Sequence, residues 1–119
     1  MIGPANRNGG AIVFFAFPND FKTRELFPGV TLRLVWGERV MLSYVIFQPH
    51  SEVPLHSHPH EQTGMVLQGE MEMTIGDETR VCGPGDAFTI PGDVEHSAAS
   101  RDVPTIVLDT FSPPREDYM

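Results

Sequence analysis

From Val30 onward, hydrophobic positions recur at every second residue. Val30, Leu32, Leu34 and Trp36 alternate with Thr31 and Arg33, the period of a strand with one buried face. Gly37-Glu38 then turns the chain. Val40 to Gln48 reads as a second, nearly all-apolar strand closed by Pro49, and Thr63 to Gln68 as a third. Met71, Met73 and Ile75 alternate with Glu70, Glu72 and Thr74, and Gly76-Asp77 leads back through Thr79 to Val81. Gly83-Pro84-Gly85 breaks the chain again before Asp86 to Ile90, Glu95 to Ser100 and Thr105 to Phe111. Strands spaced about 8–12 residues apart, with turn residues between them, predict an all-β sandwich or small barrel. No segment sustains a helical period; Asp20 to Phe27 allows one helical turn at most. Ala11 to Phe17 is a continuous apolar run before Pro18 and predicts a strand buried on both faces. A terminal strand without a polar face wants a partner, which predicts a homodimer. The first ten residues, rich in Gly and Asn, read as a frayed terminus.

With 119 residues, the chain is expected to form one domain over 1–119, and 40% hydrophobic content suffices for one core. Eleven glycines and eleven prolines are spread along its whole length, so they punctuate short elements and do not form a linker. A formal charge of −8 argues against nucleic acid and anionic membrane surfaces, both of which attract clustered basic residues. A single cysteine, Cys82, excludes an intrachain disulfide and reads as a small buried residue at a strand end. No apolar stretch approaches the roughly 20 residues of a membrane span. Ala11 to Phe17, the best secretory candidate, is short and lacks a small-residue cleavage site. A cytoplasmic protein is expected.

The chemistry gathers around histidine. His50, His56, His58 and His60 fall within eleven residues, and His96 stands apart. On a strand, His56 and His58 would share one face. Neutral imidazoles converging from one face suit a borderline divalent metal, with His96 a third ligand from another strand. Two histidines two apart are weak evidence alone; the residues around them add to it. Pro54-Leu-His56-Ser-His58 continues to Gln62 and Gly69, and Gly85 leads through Pro91 to His96. These segments, spanning about residues 54–69 and 85–97, resemble the two motifs of the cupin family.

That resemblance implies a double-stranded β-helix (jelly-roll) barrel holding one divalent transition metal (Fe, Ni, Mn, Co or Zn) at His56, His58, Gln62 and His96. Gln62 stands where many cupins carry glutamate. Gly92 falls one place early and Asp93 holds the glycine position of the second motif, which questions the local turn but not the ligand. Glu61 is out of phase with the ligands and is expected in solvent. His60 reads as an exposed loop residue, and His50 is given no role. Met65, Met71 and Met73 read as core fillers.

Three imidazoles and an amide leave the +2 charge of a metal uncompensated, which favours an anionic substrate. On the last strand, Asp109 and Phe111 share a face and Arg115 follows; Asp109 facing water and Arg115 in a mobile tail is the plainer alternative. This ending resembles the small cupins of pectin and alginate breakdown, the KdgF type, which promote ring opening of 4,5-unsaturated uronates. The resemblance implies a catalytic set of Asp109 as general acid and base, Arg115 as carboxylate clamp and Phe111 as a wall against the sugar ring. A metal-dependent dioxygenase and a non-catalytic binding module remain as the other two readings of the same ligands.

Overall fold

The computed structural model describes residues 11–119. Among these residues, ten strands form two antiparallel sheets: β1 (Lys22–Phe27), β2 (Val30–Trp36), β3 (Met41–Phe47), β4 (Glu52–His56), β5 (Glu61–Gln68), β6 (Met71–Ile75), β7 (Glu78–Cys82), β8 (Ala87–Ile90), β9 (His96–Ser100) and β10 (Thr105–Ser112). One sheet has the order β1-β2-β3-β10-β5-β8 and the other β4-β9-β6-β7. The only helical element among the described residues is a 3-10 turn over Glu116–Tyr118. No described helix is long and apolar enough to cross a membrane. The fold is the expected all-β one.

Alternation decides which residues meet between the sheets. Val30, Leu32 and Leu34 of β2, Met41, Val45 and Phe47 of β3, Val66 of β5 and Val107 and Phe111 of β10 are buried in one core. Met71 and Met73 close it from the second sheet, and Cys82 ends β7 as a buried free thiol. Polar residues occupy the same inward register. Ser43, Gln62, His96 and Asp109 are all buried. A row of direct cross-strand partners runs Leu34, Ser43, Asp109, Gly64, Phe88 across the larger sheet. Asp109 is therefore flanked by two of the smallest side chains available.

Four expectations change. Ala11–Phe17 pairs with no strand of the described residues, and its side chains are exposed, Phe14 at 90%. The Phe17 ring lies 4.7 Å from that of Tyr44 and 5.2 Å from that of Phe21; hydrophobicity alone supplies no strand to pair with. Asp20 to Phe27 forms no helical turn. Its second part is strand β1, drawn into the sheet by pairing with β2 from Lys22↔Leu34 to Phe27↔Val30. Strand β4 was hidden by Pro54, which fits because β4 is an edge strand where a missing N–H costs nothing. Met65 lies on the outer face at 41% exposure, whereas Met71 and Met73 are buried. The frayed-terminus expectation for residues 1–10 lies outside the described residues.

Candidate metal centre and its pocket

His56 ends β4 and His96 opens β9, and the two are direct partners across that antiparallel pair, with ring centroids 4.2 Å apart. His58 lies just past the end of β4, so the shared-face argument from strand period does not apply to it. The connecting loop delivers its ring to 4.9 Å from His96 and 5.7 Å from His56 instead. One nitrogen from each of the three rings lies within 4.8 Å of the others. This cluster can hold a metal ion.

Each ring is oriented by a backbone carbonyl. The Nδ1–H of His56 donates to Pro54 O at 2.8 Å, that of His58 to His60 O at 3.1 Å and that of His96 to Val94 O at 2.9 Å. This fixes one tautomer and leaves Nε2 as the ligating atom, the usual arrangement of metal-binding histidines. Burial holds the pKa of His58 down at about 4, helped by the positive charge of Arg115 and by His96. Burial also lowers that of His96. Both rings are neutral near pH 7, with lone pairs free. His96 Nε2 is buried and has no hydrogen-bond partner. His58 Nε2 faces Gln62 Oε1 at 3.1 Å, two acceptors in apposition once Nδ1 carries the proton. A cation shared between them resolves both features, so the donor set fits a divalent metal.

The two motifs are locked together through their loops. Asp93 N–H donates to His58 O at 2.8 Å. A Cβ at Gly92 would lie 2.5 Å from Pro59 O, so glycine at 92 serves close approach. Asp93 itself takes the left-handed conformation, φ 68°, which Asp tolerates better than most residues. The displaced glycine thus leaves the turn intact, with the two special roles shared by neighbours.

A cavity of about 50 Å³ adjoins this cluster, walled by His56, Gln62, His96, Ser43, Asp109, Phe111, Arg115 and Tyr118 among others. Asp109 and Phe111 share one face, as strand period predicted, and that face is the inner one; Arg115 is buried, not part of a free tail. Burial pushes the Asp109 carboxyl up to about 7, against the pull of a Gln62 hydrogen bond and the Arg115 charge. Its Oδ1 has no hydrogen-bond partner. A Cβ at Gly64 would collide with that same oxygen and with the Phe88 ring. Gly64→Ala is accordingly expected to displace the carboxylate and cost at least tenfold in turnover while metal content stays at wild-type level, checked by elemental analysis beside the rate.

Arg115 is held in place on three sides. Its Nε and Nη2 donate to Asp117 at 3.3 and 2.8 Å, and Nη1 donates to Tyr118 Oη at 2.9 Å. The guanidinium also stacks 3.9 Å from the Tyr118 ring centroid and 5.2 Å from that of Phe111. Of five N–H donors, two stay free for a ligand. Glu61 is exposed as expected. His50, paired with Asp102 at 3.3 Å on the surface, is remote from the cluster. His60 is half-buried in the loop beside His58, with ring centroids 5.5 Å apart, not fully exposed. Ser43 and Tyr118 in the cavity wall, and Gly64 and Asp117 in contact with Asp109 and Arg115 behind it, were not anticipated. A glycine within β5 and a serine within an apolar strand were the available signals.

The cupin domain model matches residues 43–111. The chain belongs to the cupin-domain family. This cupin is 30% identical over 97 residues to the pectin degradation protein KdgF of Dickeya dadantii (strain 3937), covering 80% of this chain and 88% of that protein. It is 38% identical over 89 residues to the H2HPP isomerase of Bacillus subtilis, covering 66% of the cupin but 36% of that longer protein. The solved structure of KdgF from Halomonas sp. superposes with a TM-score of 0.83 at 30% identity, covering 91% of this cupin and 100% of that chain. These similarities make it a KdgF-like small cupin.

Proposed function

We propose that this cupin is a metal-dependent, non-redox enzyme that opens the ring of a small carboxylated sugar, a 4,5-unsaturated uronate, to a linear keto acid. The observation that carries this reading is the composition of one cavity. It is lined by His56 and His96 of the three-histidine cluster, a buried carboxyl with a free oxygen and a buried guanidinium with free donors. His56, His58 and His96, with Gln62 as fourth ligand, would hold the metal, which supplies Lewis-acid polarisation of substrate oxygens. Similarity to a pectin degradation protein supports the uronate class.

The protein's own groups account for the remaining chemistry. His56, His58, Gln62 and His96 bring no negative charge, so a divalent cation held there would favour an anionic substrate. The two free N–H groups of Arg115 grip the substrate carboxylate. Phe111 offers a flat apolar wall to the ring. Asp109 Oδ1 takes the proton of the anomeric hydroxyl as the bond between C1 and the ring oxygen breaks, and returns it to C4. The proton count closes and no oxidant is consumed. The test mixes metal-reconstituted protein with a 4,5-unsaturated monouronate and follows loss of the conjugated absorbance against the spontaneous rate. Metal-dependent acceleration is expected; none with any of Fe, Ni, Mn, Co or Zn would remove the uronate assignment.

The homodimer is proposed on the same footing. The exposed apolar side chains of residues 11–17 beside the outer face of the larger sheet support it. A monomer by sedimentation at micromolar concentration would end that reading.

A further inference from the structure

Ser43 is the one residue of β3's inward face that is not apolar; Met41, Val45 and Phe47 share that face with it. It is 1% exposed, and its Oγ has no hydrogen-bond partner. A buried hydroxyl left unpaired destabilises a fold, so each such group requires an explanation. Its surroundings give one. Ser43 lies directly opposite Asp109 in the β3–β10 ladder, where facing side chains on one sheet surface stand about 4.5–5.5 Å apart at Cβ. Both residues line the same cavity. Asp109 Oδ1 is unpaired as well, so the two groups do not satisfy each other. A hydroxyl donor-acceptor and a carboxyl oxygen, adjacent, buried and both open, match a ligand oxygen that accepts from one and donates to the other. A sugar hydroxyl has that chemistry; an apolar ring edge does not.

We propose that Ser43 is a substrate-contacting, specificity-determining residue, which together with Asp109 Oδ1 binds a ring hydroxyl of the ligand. The proposal rests on the carboxylated-sugar reading above. It assigns the recognition of hydroxyls to the β3–β10 wall and that of the carboxylate to Arg115 on the C-terminal turn.

The test is a two-by-two comparison by calorimetry on the full chain reconstituted with zinc. Wild type and Ser43→Ala are each titrated with glucuronate and with tetrahydropyran-2-carboxylate, which keeps ring and carboxylate but has no hydroxyl. Ser43→Ala is expected to weaken glucuronate about tenfold, as loss of a hydrogen bond in a desolvated site should. Tetrahydropyran-2-carboxylate should bind both proteins equally. The melting temperature of the variant should be unchanged or higher, because the hydroxyl it removes is unpaired in the free protein. Equal affinities of both proteins for glucuronate would mean that Ser43 holds only an ordered water, and would overturn the proposal. So would equal weakening of both ligands, or a lowered melting temperature with no difference between ligands, which mark a structural role. If wild type binds tetrahydropyran-2-carboxylate but not glucuronate, the Ser43 proposal falls and carboxylate recognition stands. If it binds neither, the carboxylated-sugar reading fails and this proposal with it.

Discussion

Asp109→Asn is expected to lower metal-dependent turnover of the unsaturated uronate by about 10²–10⁴-fold, the range of a lost general acid-base group, with metal content unchanged. The same substitution should stabilise the metal-free protein, and by an amount that depends on pH. The sign follows from the carboxyl's two environments. Its pKa in the folded chain is pushed up to about 7 by burial, from an ordinary 3.8. The folded state therefore binds this proton more tightly than the unfolded state does. Below about pH 4 the group is protonated in both states and costs nothing. As pH rises toward 7 the unfolded chain ionises freely while the folded one resists, and stability is lost. Asparagine removes the titration. With metal chelated, the melting temperature of Asp109→Asn relative to wild type should climb between pH 4 and pH 7 and then level off. Three pKa units correspond to on the order of 4 kcal/mol at most. A difference that is flat across this range would show that the carboxyl is not desolvated in solution. Gain of stability with loss of rate is the pattern of a residue kept for chemistry.

Removal of a histidine gives the second large effect. His58→Ala is expected to weaken binding of a divalent metal by more than about 100-fold, since even outer partners of metal ligands cost 10–100-fold. A metal at a hundred times its Kd stabilises the folded state by about 2.7 kcal/mol. Excess metal should therefore raise the melting temperature of wild type and leave that of His58→Ala unmoved. His50→Ala serves as the control, because His50 lies on the surface beside Asp102, and its metal response should match wild type. If His58→Ala kept the full thermal response, the ion would be bound elsewhere on the chain.

Much of this molecule was legible before its structure was. Alternation along β2 and β6 assigned the buried face correctly because strand geometry permits only two directions for a side chain, and on β10 it said which residues share a face but not which face is inside. It therefore placed Asp109 and Phe111 on one side together, and the two histidine motifs marked a cluster whose rings do converge. What local sequence could not encode was partnership. Lys22–Phe27 became a strand because β2 was there to pair with it, whereas the more apolar Ala11–Phe17 pairs with no strand in the described chain. His58 reached the cluster from a loop, not from the strand period first invoked for it.

By itself, then, the sequence determined the fold class, the inward register of β2 and β6 and the residue types able to bind a metal, since each of these follows from spacing along one chain. The tertiary structure decided which groups are left unpaired inside. Ser43 and Gly64 flank Asp109 only because β3 and β5 are its neighbours in the sheet. Arg115 enters the pocket only because Asp117 and Tyr118 hold it there. Burial, and hence the altered basicity of His58 and Asp109, arises from the closing of two sheets on one another, a property of distances in space that no spacing along the chain contains.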